Sequence, residues 1–484
     1  MENVIELLER LVEQDESKVL FVDELGSYTR ADVFSKAKKV ASYLVHRGIS
    51  KEPILIRVNR KATSLIAFFG IALSGNYYIP VDIDTPLYRL DQMIESSKVD
   101  LEILVEKLDS PVEGVALNDI LKTPIDEEAL RFSRLSHNAR DPLMLLFTSG
   151  STGVPKGVYK SHFGFLSFCR NFARTFPFLG EERIANQAPF YFDASNKDIY
   201  MTLYLGASLY IPPKSIFALP TVTVDYLNSN KITAICWVPS SLTLIAKMKV
   251  LHFVKPADLK YVFFVGEAFL PKYLNAWLTD FPQARYFNLY GSTEVSGVCL
   301  YHEIKEPLDG GKPIPTGKAL LGNDVWLEEG EIVISSPQLS LGYLNDEVKN
   351  KEVFRALPSG KRELHTGDYA TIDENGDIVY LGRKDFQIKH MGYRIELQEI
   401  EVHLSALDYI TGVCCLLHQA KDQIIAFVTL NKELDNPGKT IIGDVKGRLP
   451  NYMVPNKIIV LDELPLNRNG KVDRGLLKNK LEEK

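Results

Sequence analysis

Thr148-Ser-Gly-Ser-Thr-Gly-Val-Pro-Lys-Gly157 is the stretch on which the assignment of the fold depends, and it directly follows a short apolar run, 143–147. Glycine lets backbone N–H groups come close to an anion, the hydroxyl side chains add hydrogen-bond donors, and Lys156 adds a positive charge. The loop therefore predicts a polyphosphate site. It differs from the pattern G-x-x-x-x-G-K-[ST], because Gly157 stands where that pattern has serine or threonine. A flexible loop without a ligand is the alternative.

Helix-like and strand-like segments alternate on both sides of this loop. Apolar residues at helical spacing predict helices over 31–48 and 64–73, and short apolar runs predict buried strands. The predicted strands are 53–57, 77–81, 232–238, 259–265 and 285–290. Such alternation predicts an α/β fold in which helices and sheets form layers.

The pattern changes after residue 325. A hairpin is predicted over 325–334 and a second tight turn over 373–378. The last hundred residues, with a helix at 396–407 and a strand at 424–430, suggest a small α+β domain. We therefore predict a large N-terminal part of several layered α/β subdomains, 1–384, and a small mobile C-terminal domain, 385–484.

Composition narrows the class of protein. Hydrophobic residues make up 45% and charged residues 24% of the 484 residues, which argues against wholesale disorder. The net charge of −6 gives no electrostatic reason to expect nucleic acid as a partner. Neither a signal peptide nor an apolar run of roughly 18 residues is apparent, so we expect no membrane partner. The five cysteines suggest buried, reduced thiols in a cytoplasmic protein.

Six further strings follow the loop in a fixed order. They are Phe192-Asp-Ala-Ser195, Phe287-Asn-Leu-Tyr-Gly-Ser-Thr-Glu294, His365-Thr-Gly-Asp368, Gly382-Arg-Lys-Asp-Phe-Gln-Ile-Lys389, Gly392-Tyr-Arg-Ile-Glu396 and Asn469-Gly-Lys-Val-Asp-Arg474. With the loop, they resemble the adenylate-forming superfamily, which includes acyl-CoA synthetases, luciferases and the adenylation domains of nonribosomal peptide synthetases. Seven matches in the family's order span most of the chain.

The resemblance implies an ATP-dependent, AMP-forming ligase that works in two steps. A carboxylate attacks the α-phosphorus of ATP and pyrophosphate leaves, and a thiol then attacks the acyl-adenylate and AMP leaves. Lys471 matches the family's mobile lysine, which bridges the substrate carboxylate and the α-phosphate. Asp385 falls at the family's hinge. Attack of one anion on another requires charge neutralisation and in-line positioning, which fits these residue types.

The resemblance also assigns the nucleotide site. Thr293 would contact the α-phosphate, and Glu294 would hold Mg²⁺, so these two join Lys471 as catalytic residues. Tyr290 would stack on adenine and Asp368 would bind the ribose hydroxyls. The full set of implied ATP-binding residues is Thr148, Ser149, Gly150, Ser151, Thr152, Gly153, Lys156, Gly266, Glu267, Asn288, Tyr290, Gly291, Ser292, Asp368 and Arg383. For Glu294, the alternative is a carboxylate at a helix N-terminus.

Asp193 indicates the class of acid. In members that activate amino acids, this aspartate pairs with the substrate's α-ammonium, a group that fatty and aryl acids lack. A buried carboxylate without a cation would be costly, so its presence favours an amino acid. The alternative is an aspartate that caps a helix starting near Ser195.

The rest of the pocket follows from the same resemblance. The implied lining residues are Asp193, Ala194, Lys197, Cys236, Phe263, Val265, Leu289, Gly297 and Val298. Lys197 leaves two possibilities open. An inward Lys197 would suit an acidic substrate side chain, whereas an outward Lys197 would leave a small apolar pocket.

Several strings resemble the stand-alone D-alanine:carrier-protein ligases in particular. They are 385–396, Asn186-Gln-Ala-Pro189 and Phe264-Val-Gly-Glu267. Those ligases have a cysteine where Val265 stands and an apolar residue where Lys197 stands, so the identity and chirality of the amino acid stay open.

The expected acceptor is a thiol on another molecule. No segment with a phosphopantetheine-attachment serine follows Arg474, so we expect a separate phosphopantetheinylated carrier protein in a nonribosomal peptide or related pathway. The alternative is an acyl- or aryl-CoA synthetase that uses free coenzyme A.

Overall fold

The computed structural model describes residues 3–135, 137–150, 152–308, 313–383, 387–466 and 472–482. The chain divides into two compact units. The first comprises Met1–Ile83, Ser97–Leu146 and Gly157–Lys384, and the second comprises Asp84–Ser96, Phe147–Lys156 and Asp385–Lys484. The division into an N-terminal part, 1–384, and a mobile C-terminal domain, 385–484, stays a prediction.

The α-helices in the described residues are α1 (Val4–Gln14), α2 (Arg30–His46), α3 (Ala62–Leu73), α4 (Leu87–Ser97), α5 (Leu117–Ile120), α6 (Glu127–Arg134), α7 (His162–Thr175), α8 (Asp193–Leu205), α9 (Pro220–Ser229), α10 (Pro239–Lys247), α11 (Pro271–Asp280), α12 (Glu347–Val353), α13 (Leu397–Ser405), α14 (Pro437–Lys446) and α15 (Arg474–Glu482). Short 3₁₀ helices span Lys214–Ala218, Val250–His252 and Asn451–Met453.

The strands are β1 (Val19–Asp23), β2 (Gly26–Thr29), β3 (Pro53–Val58), β4 (Tyr77–Asp82), β5 (Leu101–Leu104), β6 (Glu113–Ala116), β7 (Pro142–Thr148), β8 (Lys156–Ser161), β9 (Arg183–Ala185), β10 (Ser208–Tyr210), β11 (Ala234–Trp237), β12 (Tyr261–Val265), β13 (Arg285–Tyr290), β14 (Leu300–Ile304), β15 (Lys318–Ala319), β16 (Asp324–Glu328), β17 (Glu331–Ser335), β18 (Gly342–Tyr343), β19 (Phe354–Ala356), β20 (Arg362–Ile372), β21 (Ile378–Arg383), β22 (Gln387–His390), β23 (Tyr393–Glu396), β24 (Ile410–His418), β25 (Gln423–Leu430) and β26 (Lys457–Val460).

The first unit is built around three sheets. A nine-stranded sheet has the order β15-β14-β13-β12-β11-β9-β10-β1-β2, and a seven-stranded sheet has the order β18-β8-β7-β4-β3-β5-β6. The strands in the middle of the nine-stranded sheet run parallel, and its edges are antiparallel. The third sheet is antiparallel and contains β16, β17, β19, β20 and β21.

The largest hydrophobic core joins helices to strands of both large sheets. It contains buried residues of α1, α2, α3, α7 and α8 together with residues of β3, β7, β12 and β13. Helix α3, ATSLIAFFGIAL, is buried almost all round, which explains why it is apolar on every face. A second core packs α9, α10 and α11 on the nine-stranded sheet. These layers confirm the predicted α/β architecture.

The second unit contains a two-stranded sheet, β22-β23, and a three-stranded sheet, β24-β25-β26. Its main core includes buried residues of α13, α14, β24 and β25. All five cysteines are buried, and none of them forms a disulfide bond in the part of the chain that the structure describes. Among the described residues, no helix combines the length and the apolar character needed to cross a bilayer.

Candidate active site

Asp193 is the first residue of α8, and its carboxylate forms an ion pair with Lys160 on β8. Lys160 is fully buried, because its side chain points to the same face of β8 as buried Val158. Asn196 donates a further bond to the same oxygen, Oδ1 of Asp193, at 3.3 Å. Phe192 is the N-cap of α8, so Asp193 does not cap the helix as the alternative supposed.

The premise that Asp193 would lack a cation within the chain is therefore wrong. Burial raises the pKa of Asp193, while the charge of Lys160 and its hydrogen bond work to lower it. Lys160 was not among the predicted site residues. Its spacing could have indicated this role, because Lys156, Val158 and Lys160 occupy every second position of one strand and therefore lie on the same face.

Lys197 lies one turn further along α8 and is also buried, with 4% of its surface exposed. Its ammonium donates to the carbonyl of Ala194. No carboxylate of the described residues lies within ion-pairing distance of it. Although burial works to lower the pKa of Lys197, Cys236 and Asp198 raise it above its ordinary value. The side chain of Lys197 is therefore directed into the protein, and its contact with a substrate stays a prediction.

A small cavity lies beside Lys197. It is lined by Lys197, Asp198 and Cys236 and by aromatic and aliphatic side chains, including Phe168 and Phe263. Burial raises the pKa of Cys236 to about 12, so its thiol stays protonated near neutral pH. Burial also raises the pKa of Asp198, to about 6. The structure thus brings three of the predicted lining residues to one cavity.

The other predicted lining residues cluster on neighbouring parallel strands. Cys236 pairs in register with Phe263, and Val265 pairs with Leu289. Val298 is buried in the same core, whereas Ala194 is half-buried at the start of α8. Ligands commonly bind at the carboxyl ends of parallel strands, and Val265 and Leu289 lie there on β12 and β13.

Gly297 has a positive φ of 82°, and a Cβ atom there would lie 2.3 Å from the ring of Phe168. Gly291 is restricted in the same way, because its Cβ would lie 2.5 Å from the carbonyl oxygen of Gly297. Both positions therefore require glycine for close packing.

Tyr290, Asp368 and Arg383, predicted to contact adenosine, lie together. The hydroxyl of Tyr290 donates to Oδ2 of Asp368, and Arg383 donates to Oδ1 at 2.8 Å. Asn288 donates from its amide nitrogen to the carbonyl of Pro315 at 2.8 Å. Its amide oxygen can therefore point elsewhere, which suits the nucleotide contact that is predicted for Asn288.

Glu294 follows β13 in a turn, not at a helix N-terminus, so the alternative role for it is wrong. Its carboxylate is buried, and Oε1 accepts a bond from the hydroxyl of Tyr343 at 2.6 Å. Mg²⁺ is usually bound by one or two carboxylates together with phosphate oxygens, so the carboxylate of Glu294 fits that ion. Nearby in sequence, the buried hydroxyl of Ser292 has no partner among the described residues. Thr293 is half-buried between them.

Gly266 and Glu267 follow β12. Gly266 has a φ of 97°, and no atom lies within 4 Å of the position that a Cβ would occupy. Glu267 accepts a bond from the backbone N–H of Ser240, in the first turn of α10, at 3.0 Å.

Most of the glycine-rich loop belongs to the second unit. Gly150 donates its N–H to the carboxylate of Glu399 at 2.9 Å, and the hydroxyl of Ser149 donates to the carbonyl of Arg394 at 2.9 Å. A backbone amide that can bind an anion is thus already paired with a carboxylate. Gly153 has a φ of 83°, Thr152 is exposed, and the hydroxyl of Thr148 donates to the carbonyl of Lys156 at 3.4 Å.

Lys471, Asp385 and Ser151 lie outside the described residues. On the C-terminal side of Lys471, Val472 forms an antiparallel bridge with Leu466. Arg474 donates two bonds to Glu401, at 2.5 and 2.7 Å. The roles of Lys471 and Asp385 stay predictions from the ordered motifs.

Two family models match the chain. Residues 8–344 match the AMP-binding enzyme model, and residues 399–471 match the model of the AMP-binding enzyme C-terminal domain. The first match covers more than half of the 484 residues.

Curated relatives match along almost the whole chain. The chain is 31% identical to the D-alanine–D-alanyl carrier protein ligase of Lacticaseibacillus paracasei, over 99% of each chain. It is also 31% identical to the enzyme of that name from Staphylococcus aureus, over 98% of each.

Solved structures share the fold. The Vibrio cholerae adenylation domain AlmE, in complex with glycyl-adenosine-5'-phosphate, superposes with a TM-score of 0.84 at 22% identity, over 99% of this chain and 98% of that one. The o-succinylbenzoate CoA synthetase of Bacillus subtilis gives a TM-score of 0.85 at 19% identity, over the same shares of each chain. The chain belongs to the AMP-binding enzyme family, and it is an adenylate-forming ligase.

Proposed function

We propose that this ligase activates an amino acid with ATP, releases pyrophosphate, and passes the aminoacyl group from AMP to the phosphopantetheine thiol of a separate carrier protein. The observation that carries the proposal is Asp193, a carboxylate at the start of α8 whose recorded bonds all go to Oδ1. Its second oxygen, Oδ2, can accept the substrate's α-ammonium. The full-length relatives, which are named as carrier-protein ligases, support the acceptor.

The nucleotide would be held as the motifs imply. Tyr290, Asp368 and Arg383 would bind adenosine, and the hydroxyls of Ser292 and Thr293 would face the phosphates. Glu294 would hold Mg²⁺, which neutralises phosphate charge when bound. Lys471 would neutralise charge between the carboxylate and the α-phosphate, and rotation about Asp385 would withdraw it before the thiol attacks.

The buried position of Lys197 favours an acidic amino acid over a small apolar one. A buried ammonium without a carboxylate within ion-pairing distance is costly, and a substrate carboxylate would supply the missing charge. D-Alanine, for which the relatives are named, has no side-chain carboxylate, so it is the natural comparison substrate. The pathway would be a nonribosomal or related aminoacyl transfer in the cytoplasm, in keeping with five buried cysteines that form no disulfide bond among the described residues.

Amino-acid-dependent ATP–pyrophosphate exchange tests the proposal. Aspartate and glutamate should promote exchange best, alanine and valine of either chirality should promote it less, and fatty or aromatic acids should give only background. Exchange with fatty or aromatic acids alone would overturn the amino-acid assignment. Mass spectrometry should then detect an aminoacyl thioester on a phosphopantetheinylated carrier protein, and a product only with free coenzyme A would overturn the acceptor.

One observation favours a second candidate, an acyl- or aryl-CoA synthetase. Because Lys160 supplies Asp193 with a cation, the carboxylate does not require a substrate ammonium to be stable. The exchange assay with non-amino acids separates the two candidates.

A further inference from the structure

Lys160 is a fully buried cation at a strand position where an apolar residue would pack well. Its side chain is 0% exposed, and its ammonium lies 5.5 Å from the centre of the Phe165 ring. A buried ammonium without a partner costs several kcal/mol, so its place in the fold depends on Asp193. Its charge, in turn, acts mainly on that carboxylate.

The carboxylate of Asp193 is bound asymmetrically. Lys160 and Asn196 both donate to Oδ1, and no hydrogen bond to Oδ2 occurs among the described residues. The side chain keeps 17% of its surface exposed, although its partner is fully covered. One oxygen is therefore fixed by the protein, and the other is available to a ligand.

The neighbours of Asp193 explain why a fixed cation is needed. From α8, Lys197 adds a positive charge at longer range. From β4, the hydroxyl of Tyr78 lies close enough for the charge of Asp193 to raise its pKa, and Tyr78 is hydrogen-bonded to Tyr200. Burial favours the protonated form of Asp193, and Lys160 is the largest opposing influence. A protonated Asp193 would not attract an ammonium group.

We propose that Lys160 is a positioning residue for the substrate: its ammonium holds Oδ1 of Asp193, so that Oδ2 receives the α-ammonium of the amino acid. This inference rests on the proposed amino-acid activation. In this role Lys160 would contact neither the substrate nor the reacting atoms. It acts by keeping the carboxylate charged and oriented.

The expected effect of losing this cation is on amino-acid binding and its pH dependence. In Lys160→Met, the amino-acid KM should rise about 10- to 100-fold near neutral pH, since each unit of pKa change is tenfold. The KM should fall again as the pH is raised, because Asp193 then loses its proton. The ATP KM and kcat should change little. Lys160→Arg, which keeps the charge, should retain most of the wild-type pH profile.

A matched control is Arg57→Met. Arg57 is also a buried cation paired with a carboxylate, Glu102, at 2.7 Å, and neither residue belongs to the predicted site. This variant should lower the free energy of unfolding without shifting the pH dependence of the amino-acid KM. The readout is pyrophosphate exchange from about pH 6 to about pH 9.

An unshifted pH profile in Lys160→Met, with KM and kcat losses like those of Arg57→Met, would overturn the positioning role. If Lys160→Met does not fold, Lys160→Gln replaces it, provided that this variant folds. The positioning role is then overturned if the pH dependence of the amino-acid KM is the same in Lys160→Gln as in Lys160→Arg. Failure of the proposed function looks different, because then wild-type enzyme itself gives no exchange with any amino acid.

Discussion

Lys160 and Lys197 are both buried, yet their partners differ. Lys160 is paired with the carboxylate of Asp193, whereas Lys197 donates to a backbone carbonyl and has the thiol of Cys236 and the more distant carboxylates of Asp198 and Asp193 nearby. A buried cation with its own counterion belongs to the framework of the site. A buried cation without one is suited to meet charge on a ligand. The difference predicts that changes to the Lys160–Asp193 pair act mainly on stability and amino-acid binding, whereas a change to Lys197 acts mainly on side-chain specificity.

The largest effect on stability should follow removal of the carboxylate of Asp193, which is the counterion of Lys160. Asp193→Asn leaves Lys160 buried without a carboxylate, so we expect the free energy of unfolding to fall by about 3–5 kcal/mol. Exchange with amino acids should be lost as well. Urea unfolding monitored by circular dichroism measures the first effect.

The double variant Asp193→Asn with Lys160→Met is the control for that result. It removes both charges, so it should recover a large part of the lost stability without recovering exchange. A double variant as unstable as Asp193→Asn alone would contradict the ion-pair explanation.

A somewhat smaller effect is expected for Asp198, the carboxylate whose charge most raises the pKa of Lys197. Burial raises its pKa to about 6, above the ordinary value of 3.8, so the folded state binds its proton more tightly than the unfolded state does. Its contribution to stability is therefore greatest at low pH and is lost as pH rises from about 4 to about 6, by about 3 kcal/mol.

Asp198→Asn tests this directly, because asparagine cannot ionise. The stability of the variant relative to wild type should increase between about pH 4 and about pH 6 and then stay level. The measurement is denaturant unfolding at several pH values. A difference that does not change with pH would mean that Lys197 already neutralises Asp198, which would weaken the contrast between the two lysines.

The smallest effect on stability should come from Lys197→Met, since no ion pair is broken. The change should appear in specificity: kcat/KM for aspartate or glutamate should fall about 10- to 100-fold relative to alanine. Lys247→Met, which removes an exposed lysine at the end of α10, is the matched charge control. If both variants leave the acidic-to-apolar ratio unchanged, Lys197 does not select the side chain.

The contrast also marks where sequence reasoning succeeds. The ordered strings fixed the family, because several separate matches in one order are specific, and the alternating apolar runs predicted β3, β4, β12 and β13 nearly to the residue. The hairpin at β16 and β17 followed from its turn, where Glu329 and Gly330 both have positive φ.

The partners of buried charges could not be predicted in the same way. Lys160 and Asp193 are 33 residues apart, on a strand and a helix whose contact depends on the tertiary fold. Lys197 could point inward or outward on α8, because a long lysine side chain is compatible with either, and only packing decides. That no carboxylate of the described residues lies within ion-pairing distance of Lys197 also depends on that packing.

Gly297 has a consequence for how this pocket could acquire new substrates. Any side chain there would have to adopt an unfavourable backbone conformation and would also collide with Phe168, which itself lines the cavity beside Lys197. Single substitutions of Gly297 are thus unsuitable for widening or narrowing the site. Directed-evolution libraries should vary Phe168 first, because a smaller residue there removes the collision.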